Sequence, residues 1–369
     1  MADKTYRILV INPGSTSTKV GVFDGETEVF TKTVSHEASK LAEFTTVSDQ
    51  MPYRRDLILE ALKENGVELD TIDAFVGRGG GLMAVEGGTY TINDVILDHA
   101  YRGANGIQHP AQLGSQLANA FATTVGKPAF VVNPPDTDEL CDLARMTGIK
   151  GVYRNVHLHA LNLKETAIRH AHSLGKRYDE CNFIVCHIGG GISISAHKQG
   201  KMIDGYDIVG GEGMMAPTRC GAVPVAEVLN YLEAGHSIKE VRAMCMKTGG
   251  FVDLLGTSDA IEVCNRAADG DKAAARAWDA MLYQINKYIG SMATVLEGKV
   301  DGIVLGGGMV HNKGLVASIE RGCGWIAPVS AYPGEFELEA MAAGAIRVLD
   351  GEEEPKTYTG IPVFQGFED

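Results

Sequence analysis

Glycine-rich turns follow apolar segments at three places in the chain, and their residues have the chemistry of a phosphate site. The turns contain Gly14, Ser15 and Lys19, then Gly189, Gly190 and Gly191, and finally Gly306, Gly307 and Gly308. Backbone N–H groups in tight turns and serine hydroxyls donate hydrogen bonds to phosphate oxygens. One such turn is more commonly an ordinary tight connection. Three of them after three apolar segments favour nucleotide binding.

The two most familiar nucleotide-binding sequences do not occur in this chain. It has neither Gly-x-x-x-x-Gly-Lys-Ser/Thr nor Gly-x-Gly-x-x-Gly after a predicted strand, so the P-loop and dinucleotide fingerprints are both excluded. Instead, residues 183–201 repeat the pattern of residues 8–26: an apolar strand, a turn of small residues and a second strand. This repeat predicts two similar domains, each with one phosphate-binding hairpin.

Two arginines and a histidine occupy positions suited to phosphoryl chemistry. Arg78 separates the predicted strand 74–77 from a glycine run, and Arg219 follows a Pro-Thr turn. Arginine suits this chemistry because its planar guanidinium stays charged and binds carboxylate or phosphate through two hydrogen bonds. His159 forms a His-x-His pair with His157, which leaves a catalytic role, a metal site and a structural role open.

Alternating strands and helices position these residues. Apolar periodicity and glycine or proline stops predict strands at 6–12, 18–23, 74–77, 129–132 and 300–305, a hairpin over 182–198, and helices at 53–65, 110–125, 158–174, 271–296 and 339–349. Hairpins mixed with α/β crossovers predict a two-domain α/β architecture. We expect residues 1–153 plus 340–369 to form one domain and residues 154–339 to form the other.

Composition narrows the class of partner. A net charge of −14 argues against a nucleic-acid partner, because such proteins need a positive surface. No apolar stretch approaches the ~20 residues of a membrane span, and the N-terminal apolar run is too short for a secretion signal. Seven cysteines without a Cys-x-x-Cys pair, such as Cys181 and Cys186 in apolar segments, predict buried free thiols. These features predict a cytoplasmic protein with no membrane partner.

Nearly the whole chain, from about Ile8 to Tyr358, resembles the acetate and butyrate kinase family of the actin, sugar-kinase and Hsp70-like superfamily. The motifs that carry the resemblance are INPGSTSTK at 11–19, GRGG at 77–80, FIVCHIGGGISISAH at 183–197, LLGTSDA at 254–260, VLGGGM at 304–309 and IAPVSAYPGE at 326–335. The resemblance implies two similar ribonuclease-H-like domains with a nucleotide cleft between them. It also implies reversible, ATP- and Mg²⁺-dependent phosphorylation of a short-chain carboxylic acid, giving acyl phosphate and ADP, by a homodimer.

The resemblance further implies a role for each candidate residue. Arg78 would meet the carboxylate, and His159 and Arg219 would stabilise the transferring phosphoryl group. Asn12 would lie at the metal and the phosphates, and Glu335, on a turn that can present a carboxylate to magnesium, would be a second metal-side residue. The glycines, with Ser15 and Lys19, would hold phosphate and adenosine. The first domain would then bind the acid and the second the nucleotide.

One departure from the family pattern lies after the strand 129–132, where Asn133 replaces an aspartate. Asparagine cannot ionise, but a carboxylate substrate is already ionised at neutral pH and needs no general base. Asp136 and Asp138 are candidates to replace the lost carboxylate. The stretch 109–114 and the stretch before Arg219 also depart from the pattern, near the expected acyl pocket, so the acid need not be butyrate itself.

Two other functions stay open at this point. A sugar kinase of the same superfamily would need an ionisable base for its alcohol nucleophile, and Asn133 argues against that function. A non-catalytic relative that binds ATP would tolerate both Asn133 and the altered pocket. Turnover discriminates between this relative and a carboxylate kinase.

Overall fold

The computed structural model describes residues 4–367, and these form two compact units. The first unit comprises the described residues up to Asp138 and from Phe336 onward, and the second is Glu139–Glu335. The sequence places these boundaries at 153/154 and 339/340 instead. The difference arises because Glu139 accepts two hydrogen bonds from Lys164 Nζ, at 2.8 and 2.7 Å. The segment after Asp138 is therefore held by the second unit.

The first unit is built around a seven-stranded sheet of order β12-β5-β6-β4-β1-β2-β3. Its strands are β1 Arg7–Pro13, β2 Ser17–Asp24, β3 Thr27–Ser35, β4 Ala74–Gly77, β5 Thr89–Thr91, β6 Ala129–Val132 and β12 Lys356–Thr357. Its helices are α1 Ala38–Leu41, α2 Met51–Glu64, α3 Asp94–Arg102, α4 Leu113–Val125 and α13 Glu337–Leu349.

The second unit is built around a five-stranded sheet of order β11-β10-β7-β8-β9. Its strands are β7 Asn182–Ile188, β8 Ile192–Lys198, β9 Lys201–Asp204, β10 Gly302–Gly307 and β11 Val329–Pro333. Its helices are α5 Asp142–Arg145, α6 Ala160–Ser173, α7 Val225–Glu233, α8 Ile238–Ala243, α9 Phe251–Leu255, α10 Ala260–Ala268, α11 Lys272–Val295 and α12 Lys313–Cys323.

The two sheets share one topology, as the sequence repeat predicts. In the first unit β1, β2 and β3 form an antiparallel meander, and β4 pairs parallel with β1. In the second unit β7, β8 and β9 form the same meander, and β10 pairs parallel with β7. The prediction of two similar α/β domains is confirmed by this arrangement.

The central strands read as continuous apolar runs because both of their faces are covered. Ile8, Leu9, Val10 and Ile11 are all fully buried, and helix α4 on one side and α13 on the other contact the same sheet. In the second unit α11 begins at Asp271, whose carboxylate accepts hydrogen bonds from the N–H groups of Ala273 and Ala274. This cap satisfies donors that the first helical turn leaves without partners.

Most predicted elements agree with the structure to within two or three residues. The predicted helix 110–125 is divided into a short 3₁₀ turn at 110–112 and α4. Over the described range, no helix combines the length and the apolar character needed to cross a membrane. The prediction of buried free thiols is confirmed for Cys181 and Cys186.

Candidate active site

The first hairpin presents a tight turn between β1 and β2. Pro13 pairs with Thr18 across the end of the hairpin, and Gly14 N donates to Ser17 O at 2.7 Å. Ser15 in the turn and Lys19 on β2 are exposed. The turn therefore offers a serine hydroxyl and an ammonium group to an anion in solvent.

A buried arginine, absent from the sequence-based candidates, holds this turn from behind. Arg54 of α2 is 0% exposed, and its Nη1 donates to Gly14 O at 2.9 Å and Thr18 Oγ1 at 3.0 Å. Its Nε and Nη2 both donate to Gln50 Oε1. Burial lowers the pKa of Arg54 to about 10, so the side chain stays charged at neutral pH.

Asn12, the last but one residue of β1, has a carboxylate partner that the sequence did not indicate. Its Nδ2 donates to Glu337 Oε2 at 2.7 Å. Glu337 is the first residue of α13, brought to β1 by the fold across more than three hundred residues of chain. An amide and a carboxylate side by side are oxygen ligands of the kind that Mg²⁺ prefers.

Arg78 follows β4 and is held in a crowded backbone environment. A Cβ at Gly77 would lie 2.0 Å from Gly114 O, and one at Gly114 would lie 2.1 Å from Arg78 O. These two glycines therefore let β4 and the start of α4 touch. Arg78 is 8% exposed, and burial lowers its pKa while the charges of Glu337 and Asp136 raise it.

Asn133 has a structural role in this site. Its backbone is left-handed, with φ +38°, a conformation for which asparagine and aspartate are strongly enriched. Its Oδ1 accepts from Gly88 N at 2.8 Å, and its carbonyl accepts from Arg78 Nη1 at 3.2 Å. The residue therefore ties Arg78 to the strand ends without needing a charge.

The second hairpin turn lies between β7 and β8. It is closed by a hydrogen bond within its three glycines and is hydrogen-bonded to a neighbouring loop. Gly189 N donates to Gly191 O at 3.1 Å. Gly190 O accepts from both the N–H and the hydroxyl of Thr218, at 3.2 and 2.9 Å. The turn is thereby fastened to the loop that carries Arg219.

Arg219 has buried guanidinium atoms that nothing in the described part of the chain satisfies. Its Nε and Nη1 have no hydrogen-bond partner within residues 4–367, and burial lowers its pKa. A Cβ at Gly191 would lie only 1.5 Å from Arg219 Nη1, so glycine is required there to admit the guanidinium. Buried unsatisfied donors on a cation next to a glycine turn are the physical mark of an anion site.

His159 lies at the N-terminus of α6 and is fixed by two neighbours. Its Nδ1 is 2.7 Å from Ser193 Oγ on β8, and its ring stacks on His187 with centroids 4.1 Å apart. His187 Nε2 in turn lies 3.9 Å from Glu335 Oε1. Ser193 and His187 were not among the predicted site residues, although His187 lies only two residues before Gly189.

A cavity of about 480 Å³ adjoins the second hairpin. Its lining combines backbone-rich turns, an aromatic ring and polar groups: Gly189, Gly190, Pro217, Ser258, Asp259, Ala260, Ile261, Trp278, Gly308, Met309, His311, Asn312 and Glu335. The LLGTSDA motif and the third glycine run thus converge here. Such a volume accommodates a ligand of drug or nucleoside size.

The third glycine run is only partly at this cavity. Gly308 lines it, whereas Gly306 and Gly307 are buried strand residues that do not. A Cβ at Gly307, where φ is +98°, would lie 2.4 Å from Ile188 O. Gly307 therefore serves the close approach of β10 and β7, whereas a Cβ at Gly306 would lie 3.2 Å from Thr166 Oγ1 of α6.

The predicted residues fall into two groups. Asn12, Gly14, Ser15, Lys19 and Arg78 belong to the first unit, and all the others to the second. Within the second unit the structure brings Gly191 to Arg219, and Gly189, Gly190, Gly308 and Glu335 to one cavity. Among the described residues no group of three or more His, Cys, Asp or Glu side chains forms a metal cluster.

Solved structures with the same fold define the class of protein. Acetate kinase from Porphyromonas gingivalis superposes with a TM-score of 0.75 at 19% identity, covering 93% of this chain and 100% of that one. A propionate kinase from Francisella tularensis gives a TM-score of 0.69 at 20% identity, covering 92% and 98%. At such identities the likeness shows the fold alone, which is a two-domain α/β fold.

Sequence comparison assigns the family. A model of the Acetokinase family matches residues 106–321. Two relatives described as "Probable butyrate kinase", from Clostridium botulinum strains Eklund 17B and Alaska E43, are each 44% identical over 355 residues, which is 96% of this chain and 100% of each relative. The chain therefore belongs to the Acetokinase family and is a carboxylate kinase.

Proposed function

We propose that this kinase transfers the γ-phosphoryl group of ATP to a short-chain carboxylate of the butyrate type, straight or branched, in a reversible, direct in-line reaction. The observation that carries the proposal is Arg219, whose buried guanidinium donors lack partners beside the glycine turn 189–191. The two relatives described as "Probable butyrate kinase" support an acid with a carbon chain of about the length of butyrate.

The chemistry needs charge neutralisation more than acid–base catalysis. An oxygen of the ionised carboxylate attacks the γ-phosphorus, the bond from phosphorus to the bridging oxygen breaks, and ADP leaves with the electron pair. Because the nucleophile is already an anion at neutral pH, no base is required, and the structural role of Asn133 is compatible with turnover. The protein must instead bring two anions together and stabilise the equatorial phosphoryl oxygens.

Three side chains are assigned to this task. We assign the substrate carboxylate to Arg78, and the phosphoryl oxygens to Arg219 and to His159. The Ser193 hydroxyl at Nδ1 fixes the orientation of the His159 ring. Arg78 is buried and so are the Nε and Nη1 atoms of Arg219, and burial strengthens the attraction of these groups for an anion because the local dielectric is low.

The nucleotide is assigned to the cavity beside the second hairpin. The Trp278 ring and the side chains of Ile261 and Met309 give apolar area for a base, and the turn 189–190 gives backbone donors for phosphate. Asn12 with its neighbour Glu337 in the first unit, and Glu335 in the second, each offer oxygen ligands of the kind that Mg²⁺ prefers. When bound, the ion would neutralise phosphate charge.

We also propose a homodimer that is formed through the second unit. Helices α7 and α8 bury none of their residues, although their exposed faces include Val225, Leu229 and Ile238. Large exposed apolar side chains on helices that are not packed into the core are typical of interaction surfaces. Leu229→Glu should then shift the mass measured by sedimentation from dimer to monomer.

A hydroxamate assay tests the proposed function. The protein with ATP and Mg²⁺ is offered acetate, propionate, butyrate, isobutyrate and valerate, and acyl phosphate is trapped by hydroxylamine. We expect turnover that is highest with the four- and five-carbon acids and is lost in Arg219→Met. If no acyl phosphate is trapped with any of the five acids while ATP still binds, the protein is a non-catalytic relative. Asn133→Asp would then be the first variant to assay.

A further inference from the structure

The charge of Arg54 is unbalanced, and it lies directly behind the turn of the first hairpin. Its five donors go to Gln50 and to oxygens of the turn, and no carboxylate in the described part of the chain pairs with it. The neighbouring His36 adds no charge, since burial and Arg54 lower its pKa to about 4. A buried cation without a counter-ion is costly, which calls for a compensating anion.

We propose that Arg54 is a positioning residue for ATP: its hydrogen bonds fix the turn 14–18, and its charge strengthens the binding of a phosphate group at that turn. The proposal rests on the proposed function, because it requires nucleotide phosphate to meet this turn. A purely structural arginine would fix the turn equally well but would leave nucleotide affinity insensitive to the charge. The two possibilities therefore differ in one measurable quantity.

The fluorescence of Trp278, which lines the nucleotide cavity, reports ATP binding without turnover. Trp325 is 80% exposed and is replaced by phenylalanine in every protein compared. Arg54→Met removes the charge. Arg54→Lys keeps the charge but replaces the planar guanidinium and its several donors with a single ammonium group. Arg7→Met is the matched control, because Arg7 lies at the far end of the same hairpin and is paired with Asp24.

We expect the Kd for ATP to rise about tenfold or more in Arg54→Met, to stay within about threefold of the parent in Arg54→Lys, and to be unchanged in Arg7→Met. A folded Arg54→Met with the parent's Kd overturns the proposal, and so does an Arg54→Lys as weak as Arg54→Met. A parent that binds ATP but makes no acyl phosphate refutes the proposed function alone. A parent that binds no ATP overturns both.

A different observation concerns two thiols next to Arg219. Cys220 Sγ and Cys245 Sγ are 3.9 Å apart, both residues are half-buried, and Cys220 N donates to Met244 O at 3.0 Å. Cys245 lies in the single π-helical segment Met244–Thr248 of the described chain. The backbone hydrogen bond between these two segments thus holds the two sulfurs close together.

We propose that Cys220 and Cys245 are a peroxide-sensitive pair whose disulfide displaces Arg219. The Cys245 thiolate attacks one peroxide oxygen and the O–O bond breaks, giving a sulfenic acid and hydroxide, which takes up the proton that the thiol had released and becomes the first water. Cys220 then attacks the sulfenic sulfur, the S–S bond forms, the S–O bond breaks and the hydroxyl leaves with the Cys220 proton as a second water. Two thiols and one hydrogen peroxide therefore give one disulfide and two waters. The hydrogen bond from Cys220 lowers the pKa of the Cys245 thiol to about 7, which identifies Cys245 as the first to react.

Peroxide treatment of the full chain followed by peptide mass mapping tests this proposal. We expect a Cys220–Cys245 disulfide, a kcat lowered about tenfold or more, and recovery with dithiothreitol; Cys245→Ser should resist. Cys141→Ser is the control, because Cys141 is the exposed cysteine among these thiols. Failure of the disulfide to form while Cys141 oxidises overturns the proposal. A disulfide that leaves kcat unchanged overturns its link to Arg219.

Discussion

The two hairpins have the same topology but use arginine in opposite ways. Arg54 sits behind the first turn with its donors satisfied by Gly14, Thr18 and Gln50. Arg219 sits beside the second turn with Nε and Nη1 unsatisfied. The strand–turn–strand unit occurs twice. In the first copy the arginine maintains the turn, and in the second copy the arginine is available to a ligand.

This difference separates stability from function. A satisfied buried network is costly to break, because each abandoned donor or acceptor loses about 1–3 kcal/mol. An unsatisfied buried guanidinium contributes nothing to the stability of the free protein and gains its partners only from an anion. We therefore expect substitutions at the first turn to lower stability as well as ATP affinity, and substitutions at the second turn to lower activity with little effect on stability.

The largest effect is expected at Arg219. Arg219→Met should lower kcat by about 10³–10⁵, the range known for an arginine at a transferring phosphoryl group. The free energy of unfolding should stay the same or rise, because the variant buries no unpaired charge. Hydroxamate kinetics and urea unfolding measure the two quantities on one preparation. If Arg219→Met lost as much unfolding free energy as Arg54→Met, the two turns would not differ in their contribution to stability.

The stability that the first turn contributes should depend on pH, because His36 lies next to it. Burial and Arg54 hold its pKa at about 4, against 6.5 unfolded, so between these values the unfolded chain binds the extra proton. The stability contributed by neutral His36 is complete above pH 6.5 and declines by up to about 3 kcal/mol as the pH falls to 4. Urea unfolding across this range should show a steeper loss in the parent than in His36→Gln. Parallel curves would contradict the assignment.

A smaller effect is expected from crowding the second turn. Gly191→Ala would place a methyl where Arg219 Nη1 now lies, and the guanidinium must move. We expect kcat to fall about 10–100-fold, since a displacement of about 1 Å at a reacting group has this scale. Gly290→Ala in α11 is the control, because a Cβ there meets open space and the residue does not line the cavity. Equal kinetics in the two variants would argue against a catalytic Arg219.

The smallest effect compares one threonine from each turn. Thr18 is fully buried and its hydroxyl serves both Arg54 and His36, so Thr18→Val should cost about 1–3 kcal/mol of unfolding free energy. Thr218 donates to Gly190 O near solvent, where water can replace it, and Thr218→Val should cost less than about 1 kcal/mol. Calorimetric melting of both variants measures the two losses of unfolding free energy, and the loss in Thr18→Val should be the larger.

The strands and the long helices could be predicted because their signals are local. The run 8–11, the stop at Gly126 and the cap at Asp271 each specify an element without reference to the rest of the chain. The edge strand β3 was missed. Its pattern of half-buried and exposed residues gives a weak signal, and its pairing with β2 supplies the stability that the sequence does not show.

The domain boundary and several site residues depend on contacts between distant parts of the chain. Glu139 joins the second unit through Lys164, and Glu337 reaches Asn12 only after α13 folds against β1. Arg54 has an ordinary helical context in the sequence. Its burial behind the first turn follows from how α2 packs.

The sequence alone determined the duplicated hairpins, the class of chemistry and the residues Arg78, His159 and Arg219 as its candidates, because residue type and turn chemistry are local properties. The tertiary structure decided which arginine is satisfied and which has free donors, which glycines line a cavity and which only let strands approach, and that Asn133 is structural. These outcomes depend on burial and on hydrogen bonds between residues far apart in the chain, which no local pattern encodes.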